Sequence, residues 1–124
     1  MIFELVRRYR FEAAHWLPNV PAGHQCSRVH GHTYSVEIAV RGPLDQAAGW
    51  VMDYAAIDDA VAPVIKLLDH RCLNDVDGLS NPTSEQLTRW LWMRVRDDLP
   101  GLSAITVAEN LDVACTYRRE DPCA

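Results

Sequence analysis

From Ile2 to Trp16 apolar and polar residues roughly alternate through Phe3, Leu5, Tyr9, Phe11 and Ala13, and a period of two predicts a long half-buried strand. The alternation returns from His32 to Arg41 through Tyr34, Val36, Ile38 and Val40, which predicts a second strand. Between them, Leu17 to Gly31 carries Pro18, Pro21, Gly23 and Gly31 with few apolar anchors. It reads as a long loop, and loops of that length usually serve function. Gly42-Pro43 starts a turn, and extended chain is expected from Gly49 to Asp53.

The period then changes. Ile57, Val61, Val64, Ile65 and Leu68 recur at helical spacing, so Tyr54 to Leu68 is expected as a first helix. Asn74 to Pro82 is rich in Asp, Gly, Asn and Pro, after which Thr83-Ser84-Glu85-Gln86 reads as a capping box opening a second helix through Leu99. Its buried stripe is Leu87, Trp90, Leu91 and Val95, and Pro100-Gly101 stops it. Leu102 to Glu109 and Val113 to Arg119 form an expected antiparallel pair around a turn near Asn110 to Asp112.

The order strand, strand, helix, helix, strand, strand points to an α+β fold: a four-stranded antiparallel sheet with two helices on one face, in a single domain spanning residues 1–124. Two helices cover only one sheet face, and the long first strand leaves an edge open. Oligomerisation is the expected way to cover both.

Composition narrows the function. The 124 residues are 48% hydrophobic, with formal net charge −5 and basic residues clustered only at Arg7-Arg8 and Arg118-Arg119, so no footprint for nucleic acid is present. Apolar runs span only a few residues, and Arg7 and Arg8 arrive before any signal-like stretch develops; neither a membrane span nor export is expected. Cysteines at 26, 72, 115 and 123 have no paired spacing, which argues for reduced thiols in a cytoplasm.

The candidate chemistry centres on histidine. His30 and His32 flank Gly31 at i and i+2, on one face of a strand, with the glycine allowing close approach of a backbone or ligand. A hairpin between the first two strands brings His15 opposite them. Three neutral imidazoles leave a tetrahedral zinc ion one open position, as catalytic sites do; a structural site would recruit Cys26 as the fourth ligand. Cys26 lies four residues before His30 and two before Arg28, where a thiolate can act as a base. Asp69-His70 follows the first helix and offers an oriented acid or base, or only a charged helix end. Glu109 ends an apolar strand, where a carboxylate is out of pattern unless it meets solvent, a cation or a ligand with paired N–H groups such as a pterin.

With Phe11-Glu12-Ala13-Ala14-His15, Cys26-Ser27-Arg28-Val29-His30-Gly31-His32, Leu68-Asp69-His70 with Leu73-Asn74, Asn81-Pro82-Thr83-Ser84-Glu85, and Glu109 before Tyr117-Arg118, the chain resembles the 6-pyruvoyl-tetrahydropterin synthase family. It is most similar to the queuosine-pathway branch, the 6-carboxy-5,6,7,8-tetrahydropterin synthases, because the spacing from Cys26 to His30 is short. The resemblance implies the tunnelling fold, in which trimer-based assemblies or hexamers join sheets into a barrel with active sites at subunit interfaces. It also implies that His15, His30 and His32 hold zinc, that Cys26 is the general base, that Asp69 and His70 complete the proton transfers, that Glu109 anchors the pterin, and that Thr83 and Ser84 line its pocket. The implied substrate is 7,8-dihydroneopterin triphosphate, converted to the 6-carboxy product with release of triphosphate and acetaldehyde. No nicotinamide or flavin is needed, in keeping with the lack of a glycine-rich dinucleotide fingerprint.

Two positions depart from the family pattern: Asp58, where lysine is frequent, and Asn110, where threonine usually follows the glutamate. Competing readings are the pyruvoyl-forming synthase, which stops after triphosphate elimination, and a zinc-stabilised binding module without turnover. A generic zinc hydrolase lacks its HExxH helix.

Overall fold

The computed structural model describes residues 1–120, so Cys123 lies outside the described residues. Two 14-residue strands, β1 (Ile2–His15) and β2 (His30–Pro43), form an antiparallel ladder. Helix α1 spans Tyr54–Lys66, a two-residue strand β3 spans Arg71–Cys72, helix α2 spans Ser84–Val95, and β4 (Leu102–Ala108) and β5 (Cys115–Arg118) close the order.

The sheet has five strands, in the order β3-β1-β2-β4-β5, where the hydropathy pattern predicts four. The added strand runs parallel to β1, pairing Ala13 with Arg71 and Ala14 with Cys72. Two residues cannot display a period, so pattern alone has no hold on β3. The expected extended run from Gly49 to Asp53 is instead a set of bends that ends at Asp53. The Asp53 carboxylate accepts a hydrogen bond from the Ala55 amide at 2.9 Å and caps α1. Helix α2 stops at Val95, and the chain reaches Leu99 through looser turns.

Alternation decides which residues face the helices. Leu5, Tyr9, Phe11, Ala13 and His15 of β1 lie across from Val40, Val36, Tyr34, His32 and His30 of β2, and both sets face α1 and α2. The core joins Val36, Ile38, Ile105 and Val107 of the sheet to Ile57 and Val61 of α1 and to Leu87, Leu91 and Val95 of α2, all with no measurable exposure. Burying such a side chain stabilises the fold by about 1.5–3 kcal/mol. At the far end of β2, a side chain at Gly101 would place its Cβ 2.7 Å from the Arg41 carbonyl oxygen, so only glycine lets β4 start there.

The opposite sheet face is largely polar. The Arg8 Nε donates to Glu37 Oε1 at 2.7 Å, and the Thr33 hydroxyl donates to Glu12 Oε2 at 2.8 Å. Such a face can meet water, so its burial in an assembly is not demanded by hydrophobicity. Two sheet edges stay open among the described residues: the outer side of β5, and that of β1, which β3 covers only at Ala13 and Ala14.

Asp58, where the resemblance leads one to expect lysine, has a structural role. The Arg7 Nε and the Tyr9 hydroxyl both donate to its Oδ1, at 3.0 and 2.5 Å, tying α1 to β1. The Arg7 guanidinium also lies over the Tyr9 ring, 4.6 Å from its centroid.

Candidate metal centre

The register of β1 on β2 builds the centre. His15 lies directly opposite His30, while His32 lies opposite Ala13, whose small side chain leaves room for a ring. One layer further in, Phe11 stacks on Tyr34 with centroids 4.9 Å apart and planes 10° from parallel. His15 and His32 stand edge-on to Tyr34, and the three imidazoles meet one another edge to face, with centroid separations of 4.5, 5.0 and 4.9 Å.

Hydrogen bonds fix which nitrogens face inward. The His15 Nδ1–H is directed at the Pro82 carbonyl oxygen at 2.8 Å, with the Tyr34 hydroxyl oxygen 3.2 Å away, and the His30 Nδ1–H donates to the Arg28 carbonyl oxygen at 2.8 Å. A carbonyl oxygen can only accept, so both bonds place the proton on Nδ1 and leave Nε2 with a lone pair. The Nε2 atoms of His15 and His32 are buried without a hydrogen-bond partner. One candidate ligand atom from each histidine lies within 4.8 Å of the others. Buried polar atoms are rarely left unpaired, and convergent lone pairs with an open side suit a metal ion of the zinc type. Burial holds the His15 imidazole below its ordinary value of 6.5, and His30 and His32 act in the same direction, against the Pro82 carbonyl and Glu109. A neutral ring is the form that binds a metal.

His30 and Gly31 belong to β2, not to the preceding loop, which puts His30 on a strand and steadies it. Gly31 is not needed for close approach within the chain: an added Cβ would meet only the Ala13 carbonyl oxygen, at an ordinary 3.6 Å.

Glu109 is the fourth group of this cluster. Its Oε2 lies 3.7 Å from His32 Nε2, and its Oε1 accepts a hydrogen bond from the Ser84 hydroxyl at 2.9 Å. The Thr83 hydroxyl accepts the Gln86 amide at 3.1 Å and caps α2. Its own amide donates to the Asn81 carbonyl oxygen at 2.9 Å, so only half of the expected capping box forms.

Asp69 and His70 grip the β1 edge. The Glu12 amide donates to Asp69 Oδ1 at 2.9 Å and the His70 amide donates to the Glu12 carbonyl oxygen at 2.6 Å, which holds His70 at a φ of 60°. A non-glycine residue there costs roughly 1–2 kcal/mol. The His70 Nδ1 faces Asp69 Oδ1 at 3.0 Å, and the His70 side chain is 78% exposed. The Glu12 amide first, then the His70 side chain, hold the Asp69 carboxyl below the usual carboxylate range. A hollow of about 560 Å³ at this end of the sheet is lined by Glu12, Gly31, His32, Thr33, His70 and Cys72 among others.

Cys26 sits on a short 3-10 turn, Gln25–Ser27, where it is half-buried and free. Its backbone bonds run to His24 and Leu17, not to the histidine cluster or to His70. One chain therefore gathers His15, His30, His32, Ser84 and Glu109, and leaves Cys26 and the Asp69–His70 pair on its margins.

Sequence pattern alone does not reveal Tyr34, the Pro82 carbonyl or Asn74 as supports of the centre. The Asn74 side chain accepts the Trp16 amide at 3.0 Å and donates to the Trp16 carbonyl oxygen at 2.8 Å, clamping the residue next to His15. Tyr34 reads as an ordinary core position in the alternation, and backbone acceptors leave no trace in a sequence.

Residues 4–120 match the family model described as 6-pyruvoyl tetrahydropterin synthase. Among curated relatives, the 6-carboxy-5,6,7,8-tetrahydropterin synthase of Synechocystis sp. is 33% identical over 119 residues, covering 91% of each chain. The dihydroneopterin monophosphate aldolase of Pyrococcus furiosus is 37% identical over 97 residues, covering 78% of each. Among solved structures, the 6-pyruvoyl tetrahydropterin synthase of Caenorhabditis elegans superposes with a TM-score of 0.88 at 24% identity, over 97% of both chains, which speaks for the fold. With its tunnelling α+β fold, the chain belongs to the 6-pyruvoyl tetrahydropterin synthase family.

Proposed function

We propose that this chain is a zinc-dependent 6-carboxy-5,6,7,8-tetrahydropterin synthase acting on 7,8-dihydroneopterin triphosphate in queuosine biosynthesis. The observation that carries the reading is the convergence of three imidazoles, two with buried unpartnered Nε2 atoms, beside the Glu109 carboxylate. The similarity to the Synechocystis protein of that name, over 91% of each chain, supports the choice of product.

His15, His30 and His32 would hold zinc, which supplies Lewis acidity toward the hydroxyls of the substrate side chain. Glu109 would take the amino and ring N–H groups of the pterin, with Ser84 fixing one of its oxygens. Cys26 would remove a side-chain proton, and His70, oriented by Asp69, would carry a second. One water is consumed, and triphosphate and acetaldehyde leave as the carboxylated pterin forms. Copies pairing along the open β1 edge would close a barrel, and the exposed His70 on that edge would then reach a site shared between subunits. The free Cys26, Cys72 and Cys115 suit the reducing cytoplasm in which we place this activity. No described helix is long and apolar enough to cross a membrane.

The test is to incubate the zinc-loaded protein with dihydroneopterin triphosphate and, separately, with the monophosphate, and identify products by mass. The 6-carboxy pterin with acetaldehyde is expected. A pyruvoyl pterin would assign the chain to the other synthase activity, and side-chain cleavage of the monophosphate would align it with the Pyrococcus relative. A protein that binds zinc and turns over none of these would be a binding module.

A further inference from the structure

Cys26 sits on a single 3-10 turn and not on a strand or longer helix, yet both polar groups of its backbone are engaged. Its carbonyl oxygen accepts the Leu17 amide at 2.8 Å, and its amide donates to His24 Nδ1 at 3.0 Å. Leu17 follows Trp16, which Asn74 clamps, so the first bond ties Cys26 to the end of β1 that carries His15. The second depends on one side chain.

His24 is placed to make it. Gly23 turns the chain at a φ of 86°, which glycine adopts without strain, and the His24 amide donates to the Pro21 carbonyl oxygen at 3.0 Å. The His24 backbone is then extended, with φ −65° and ψ 137°, as an N-cap requires. Its carbonyl oxygen accepts both the Ser27 amide, at 3.0 Å, and the Ser27 hydroxyl, at 2.7 Å. The ring is the cap of the turn that carries Cys26, in a role more often filled by Ser, Thr, Asp or Asn. An imidazole that accepts at Nδ1 keeps its proton on Nε2 and is uncharged. It therefore supplies an acceptor without setting a carboxylate beside a thiol that must lose a proton.

We propose that His24 is a positioning residue, which sets the Cys26 thiol against the substrate by capping the Cys26 amide. The proposal rests on Cys26 as the base. Without the cap, the turn loses the bond that fixes the Cys26 amide, while the β1–β2 ladder and the bond from His15 to Pro82 remain; His30 leans on the Arg28 carbonyl at the end of the same turn, so zinc content is read beside the rate. Misplacement of a reacting group by about 1 Å costs on the order of a hundredfold in rate. The loss falls on the chemical step and not on substrate binding, because Glu109 and Ser84 lie on other elements.

The experiment compares His24→Ala, His24→Asn and Cys26→Ala with wild type, measuring zinc content, Tm, kcat and KM on zinc-loaded protein with dihydroneopterin triphosphate. We expect His24→Ala to keep its zinc, Tm and KM and to lose about tenfold to a hundredfold in kcat. His24→Asn, whose amide oxygen can cap the same amide, should recover most of that loss. A His24→Ala protein with wild-type kcat, or one whose lower rate tracks lost zinc, overturns the positioning role. So does an Asn variant no faster than Ala. If instead Cys26→Ala turns over normally, the base assignment itself is wrong, and the proposal falls with it.

Discussion

The Pro82 carbonyl oxygen and the His15 Nδ1 lie 2.8 Å apart, and this bond aims the other nitrogen of the ring at His30 and His32. Pro82 stands two residues before α2, whose first residue, Ser84, holds Glu109. The approach to one helix thus orients a candidate ligand and a candidate substrate anchor together. A partner on the far nitrogen fixes the tautomer and ring orientation of a metal-binding histidine.

Tyr34 tests this support, since a backbone carbonyl cannot be mutated. Tyr34→Phe keeps the stack on Phe11 and removes only the hydroxyl near His15 Nδ1. Zinc affinity should fall about tenfold, the low end for a supporting partner, because Pro82 remains. Competition with a chelator measures it. Unchanged affinity would reduce Tyr34 to a core residue.

Glu109→Gln should raise KM for dihydroneopterin triphosphate roughly tenfold or more, since bonds to a charged acceptor are the stronger ones. Ser84→Ala should move KM the same way by less, as it frees Glu109 without neutralising it. Steady-state kinetics of the two variants checks the order. An unaltered KM in Glu109→Gln would leave Glu109 only as a neighbour of His32 and Ser84, with no part in holding the pterin.

Cys26→Ala should retain zinc and substrate affinity while single-turnover rates fall about a hundredfold to ten-thousandfold, the usual cost of removing a general base. Loss of zinc in this variant would make Cys26 a structural ligand. Alkylation of the wild-type thiol, slowed by substrate, gives a parallel reading.

Asp58 bears on stability and not on chemistry. The Tyr9 hydroxyl first, then Arg7, hold the Asp58 carboxyl below its ordinary value of 3.8. A carboxyl depressed by folding contributes stability that is present above its unfolded value and is lost as pH falls through the folded one. Asp58→Asn should therefore lower Tm at neutral pH, by a small amount for so exposed a site, with zinc content unchanged. The gap from wild type should close below about pH 4. A gap that widens on acidification would contradict the sign.

Much of this is legible in the chain. The alternation from Phe3 to Ala13 and from Tyr34 to Val40 marks β1 and β2, and the pairing of those strands makes His15, His30 and His32 neighbours. Glu109 stands out as a charge breaking an apolar strand, and it lies beside that cluster. Other features depend on tertiary contacts that no local pattern encodes. The strand β3 exists because Asp69 and His70 lock onto the Glu12 backbone, and the role of Asp58 emerges only when α1 crosses Arg7 and Tyr9. Counting strands and helices suggests an outer sheet face in need of cover, whereas Arg8, Glu12, Thr33 and Glu37 pair across it and suit it to water.

The most direct measurement is zinc per chain in purified wild type and in His15→Ala, His30→Ala and His32→Ala, each first checked to be folded. Because the cluster caps one end of a core whose larger part lies between the sheet and both helices, the variants should fold, and wild type should carry about one zinc while each variant loses most of it. Full occupancy in all three variants would show that the histidine cluster is not the metal centre.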